Sequence, residues 1–101
     1  MTDLSEEMRD KLDAATFRRL LSHLDSHKEV QNIDLMILAD FCRNCLANWR
    51  RDAAAEEGIE MTTDDARARI YGMPYGDWKE KFQTPATPEQ MAAYEERRGK
   101  K

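Results

Sequence analysis

Apolar residues in this chain recur every three or four positions and nowhere alternate over the length of a strand, so its core must be built from helices. Leu4, Met8, Leu12 and Ala15 begin the pattern, and Phe17, Leu20, Leu21 and Leu24 continue it. Leu35, Leu38, Cys42, Cys45 and Trp49 form a second stripe, widened by Ile37 and Phe41. A wide stripe implies contact with more than one neighbour. The chain has 101 residues, room for one domain and one core. The expected class is all-α: a compact bundle of four to five helices around a central helix at about 33–57.

Start and stop signals divide the pattern. The first helix is expected from about residue 3 to 23, with Asp3 and Glu6 as an N-cap pair, either unbroken or kinked near Thr16. A polar turn over 25–31 follows. Asn32 is a good N-cap for the central helix, Asp34 suits its first turn, and Gly58 is its left-handed stop. Thr62 and Asp65 open a helix over 64–71, ended by Gly72 and barred by Pro74. Residues 77–83 add a turn or two. Thr87-Pro88-Glu89-Gln90 starts the last helix, with threonine at the cap, proline at the first helical position and glutamine placed to bond back. The domain is expected to span residues 1–98, with 99–101 a frayed basic tail.

Charge narrows the partners. Lys and Arg number 16 against 20 Asp and Glu, a net −4, where a general nucleic-acid binder would show a basic excess. The N-terminal residues carry no basic or long apolar stretch resembling a leader, and no apolar run approaches the about 20 residues of a membrane span. A cytoplasmic setting without membrane contact is therefore expected, with reduced thiols.

Three groups could carry function. Cys42-Arg43-Asn44-Cys45 places two thiols on one helix face, suited to core packing, to half a zinc site or to dithiol–disulfide exchange. A redox pair favours a helix N-terminus, whereas this pair is expected about ten residues inside its helix. The two histidines, His23 and His27, are the other soft ligands, but a helical hairpin holds His27 more than about 10 Å along the axis from the cysteines. A zinc site within one chain is therefore disfavoured, and one shared between two chains stays open. Arg43, Asn44 and Asn48, with Arg50 and Arg51, could grip an anion or simply form a solvated face. Tyr71, Met73, Tyr75 and Trp78 concentrate aromatic surface in an irregular stretch. They suit either a docking patch or the lid of a small core. The catalytic and nucleotide-binding signatures that sequence alone can reveal do not occur in the chain.

The blocks Gln31 to Met36, Phe41 to Trp49 and Tyr71 to Lys79 resemble a family of short, mainly proteobacterial proteins known only as a domain of unknown function. The resemblance spans roughly residues 16–92, and Cys-Arg-Asn-Cys and Met-Pro-Tyr are its specific marks. Arg50 departs from it, where an aromatic is expected after Trp49. The resemblance implies a compact helical bacterial domain and assigns no activity or cofactor. The leading expectation is a non-enzymatic interaction module that self-associates or holds an unknown protein partner through Tyr71–Trp78 and the adjoining helix. The alternative is a thiol-based metal or redox protein using Cys42 and Cys45, with zinc as its possible metal.

Overall fold

The computed structural model describes residues 4–99, and those residues form six helices and no strand. They are α1 (Glu6–Asp25), α2 (Asn32–Ala39), α3 (Arg43–Glu56), α4 (Thr63–Tyr71), α5 (Tyr75–Phe82) and α6 (Pro88–Gly99). The all-α class holds. Several local signals also act as expected. Thr62 Oγ1 accepts from the Asp65 amide at 3.1 Å. Thr87 and Gln90 cap each other reciprocally, at 2.8 and 3.1 Å. Gly58 and Gly72 both adopt φ 74°, a conformation that costs glycine nothing.

The helix expected over 33–57 is instead two. α2 stops at Asp40, whose φ of 61° is left-handed, and α3 starts at Arg43 after the extended Cys42. Asp40 tolerates this conformation better than most residues. Its carboxylate is gripped by Arg97 of α6, with Nε and Nη2 donating to the two oxygens at 3.1 and 3.2 Å. Gln90 of α6 likewise donates to Asp34 at 2.8 Å, so α2 pairs with α6. A further shift follows at the start of α2. Gln31 is the N-cap and its amide donates to Asp34 at 2.8 Å, which moves Asn32 into the first turn and frees its side chain.

α1 is unbroken through Thr16, whose hydroxyl donates to the Leu12 carbonyl at 2.8 Å. Its cap is Ser5, which accepts from the Met8 amide at 3.1 Å. Asp3 and the Lys100-Lys101 tail lie outside the described residues.

The hub is the short helix α4 rather than the central stripe. It packs on α3, α5 and α1. Ala47 of α3 and Ala66 of α4 are both 0 % exposed, and side chains this small let helix backbones approach closely. Leu21, Leu46, Ile70, Tyr71 and Trp78 complete the core, with Phe17, Leu24, Met73 and Phe82 packed against it.

Candidate functional site

The three sequence blocks singled out above meet in one polar seam. Arg43 is the first residue of α3 and only 3 % exposed. Its Nη1 donates to Asn32 Oδ1 at 3.1 Å, its amide donates to the same oxygen at 3.3 Å, and Nη2 donates to the His27 carbonyl at 3.4 Å. The guanidinium also lies 5.0 Å from the Trp78 ring centre. Asn32 Nδ2 donates to the Tyr71 hydroxyl at 2.9 Å, and that hydroxyl donates to Asn44 Oδ1 at 2.8 Å. Asn44 Nδ2 then reaches the Tyr75 hydroxyl at 3.4 Å. One chain of donors and acceptors thus ties α2, α3, α4 and α5 together.

Burial sets the electrostatics. It lowers the proton affinity of Arg43, which still keeps its charge because guanidinium does not deprotonate in proteins. Burial also pushes the Tyr71 hydroxyl far above its ordinary value of 10.0, against the smaller pull of the Asn32 hydrogen bond. Tyr71 is therefore a neutral hydroxyl that donates and accepts.

A cleft of about 280 Å³ opens beside the seam, lined by Asn32, Ile33, Met36, Cys42, Asn44 and Tyr75 and closed on one side by residues 83–86. The Gln31 side chain buckles that strap in place: Nε2 donates to the Phe82 carbonyl at 3.0 Å, and Oε1 accepts from the Thr84 amide at 2.9 Å. A larger groove, about 590 Å³, lies away from the seam between the end of α3 and the α3–α4 loop, beside Arg51 and Met61.

The break at Asp40 relocates the thiols. Cys42 is the N-cap of α3 and Cys45 sits in its first turn, with the Cys45 amide donating to the Cys42 carbonyl at 3.0 Å. The pair therefore lies at a helix N-terminus and not deep inside a helix, contrary to the sequence reading. The position does not activate Cys42. Burial raises its thiol above the ordinary value of 9.0, and the amides of Cys45 and Asn44 lower it by less, without forming a cap hydrogen bond. Both cysteines are free thiols. No group of three or more His, Cys, Asp or Glu among the described residues is arranged to hold a metal ion.

The residues expected on one interaction surface are dispersed. Tyr71 and Trp78 are each 2 % exposed and belong to the core, so in this structure they present almost nothing to a partner. Met73 and Tyr75 are half-buried, and Arg67 and Lys79 reach over the Tyr75 ring at 4.7 and 5.1 Å. Arg43 is spent inside the seam, Asn44 is half-buried, and Asn48 is exposed. Trp49 stacks on Phe41 at the surface, their centroids 6.3 Å apart. Sequence reasoning places Asn32 at a helix cap and Gln31 in a polar turn, so it misses their roles in the seam and the strap, whose partners lie far along the chain.

Fold and seam together define a small all-helical domain whose motif residues hold its helices to one another. Residues 30–96, which span α2 to α6, match the family described as "Protein of unknown function (DUF1244)", and the chain belongs to it. The matched stretch begins just after α1. No curated protein matches the chain.

Proposed function

We propose that this protein is a non-enzymatic interaction module that works as a self-associated assembly. The carrying observation is that the folded chain does not close on itself. Its accessible surface is 7645 Å², against about 5,900 Å² expected for a monomer of 11.8 kDa. Its radius of gyration is 16.0 Å, where a chain of this length packs to about 13 Å. The surplus, about 1,700 Å², is roughly twice the about 800 Å² each partner buries in a standard interface. The seam supports the same reading, since Arg43, Asn32, Asn44 and Tyr71 spend their hydrogen bonds inside the fold. Sedimentation equilibrium over a wide concentration range tests it. A mass of at least twice 11.8 kDa is expected, and a monomer at every concentration refutes the proposal.

A second reading draws on two free thiols three residues apart at the start of α3, with Cys42 lining the cleft. In it, Cys42 and Cys45 exchange with a low-molecular-weight disulfide: two thiols close into one intramolecular disulfide, and the reagent leaves as two thiols. A zinc ion would have to draw further ligands from a second chain. Loss of two hydrogens by mass on titration with oxidised glutathione supports the exchange, and native thiols that stay unmodified refute it. No membrane partner enters either reading, and no described helix is long and apolar enough to cross one.

A further inference from the structure

Two sets of large apolar residues on α1 point in opposite directions. Phe17, Leu21 and Leu24 face the core. Met8 and Leu12 lie about 165° away around the helix at 100° per residue. With Leu4 just before the cap they begin a ridge at every fourth position, which turns by about 40° per step through Thr16 and brings Leu20 round toward the core side. Leu4, Met8, Leu12 and Leu20 are between 41 and 49 % exposed. These are half of the large hydrophobics exposed in the described chain, gathered on one helix. α1 meets the described helices mainly through α4, and most of its residues are exposed.

We infer that this ridge is the contact between two copies of the chain, laid antiparallel about Leu12. The inference rests on the self-association proposed above and names the surface. An isologous pair must be complementary to itself, residue by residue. Centred on Leu12, the antiparallel arrangement sets Leu12 on its own equivalent and Met8 on the second copy's Thr16. The charges beside the ridge then match. Arg9 and Asp13 follow each other along one flank, while Arg18 lies on the side of α1 that meets α4, beside Leu21 and Arg69. Across a two-fold axis, Arg9 faces the second copy's Asp13, and Asp13 faces its Arg9. Neither forms a salt bridge among the described residues. A parallel pair would instead bring the first-turn acids Glu6 and Glu7 of the two copies together. The surplus surface of the whole chain exceeds what a stable dimer needs from each copy.

Charge complementation tests the register. The variant Asp13→Arg and the variant Arg9→Glu each place like charges across the pair, on exposed positions. Each alone should sediment as a monomer with wild-type helicity by circular dichroism, and an equimolar mixture should return to twice the monomer mass. Leu12→Asp should weaken the dimer about thirtyfold or more, the size of an interface hot spot. A wild-type dimer that all these variants leave intact overturns the inference while keeping the self-association proposal. A mixture that stays monomeric overturns the antiparallel register. A wild-type chain that is monomeric throughout refutes both.

Discussion

The two halves of α1 are made of similar residues and do opposite things. In the second half Phe17, Leu21 and Leu24 lie against the core that Trp78 and Tyr71 fill. From Leu4 to Leu12 they lie in the open, on a face turned almost fully away. The helix continues unbroken between them, so intrinsic helix propensity does not separate the halves. Position relative to α4 does. A helix in a small domain is stabilised mostly by the neighbour it packs on, and no residue of the first half belongs to the described core. The exposed half thus becomes a site for a second chain, while the buried half anchors it to the body.

The largest effect that would sharpen this contrast lies at the core. Trp78→Ala should cost about 3–5 kcal/mol, most of the stability of a domain this size, measured by urea denaturation. Leu12→Ala, on the exposed half, should change monomer stability by less than about 0.5 kcal/mol. Equal costs would break the comparison. Next comes the seam: Arg43→Met removes a buried donor from Asn32 and the His27 carbonyl and should cost about 2–3 kcal/mol in the same assay.

The pH response is smaller and has a definite sign. Tyr71 and Cys42 both have proton affinities raised by folding, so their contribution is complete below the ordinary values of 10.0 and 9.0. Above those values the unfolded chain releases protons that the folded chain retains. Stability should therefore fall with rising pH, by up to about 1.4 kcal/mol per pH unit for each group. Tyr71→Phe should flatten the part above 10.0, read from unfolding free energies across that range. An unchanged slope would remove Tyr71 as its source. The smallest effect is expected at Asp40→Asn, which keeps a residue tolerant of left-handed backbone but loses the exposed pair with Arg97. It should cost less than about 1 kcal/mol by denaturation.

Local signals made much of the helical architecture legible in the sequence. Thr62, Thr87 and Gln90, with Gly58 and Gly72, act within a turn of where they stand, and the residues around them decide the outcome. The break at Asp40 was hidden for the opposite reason. No glycine or proline marks it, the apolar pattern runs through it, and Arg97, which fixes it, comes from 57 positions away. That one omission also misplaced the cysteines. The docking role expected of Trp78 and Tyr71 could not be weighed in sequence, because the surfaces covering them belong to other helices. The two faces of α1 left a usable trace: the five-residue step from Leu12 to Phe17 throws the stripe to the far side of the helix.

The most direct measurement of the central claim is hydrogen–deuterium exchange along α1 at two protein concentrations. Amides from Phe17 to Asp25 should be protected equally at both. Those between Arg9 and Thr16 should be protected only at the higher one, losing protection on dilution as the second copy leaves. Exchange in the first half that is independent of concentration, whether fast or slow, would contradict the account.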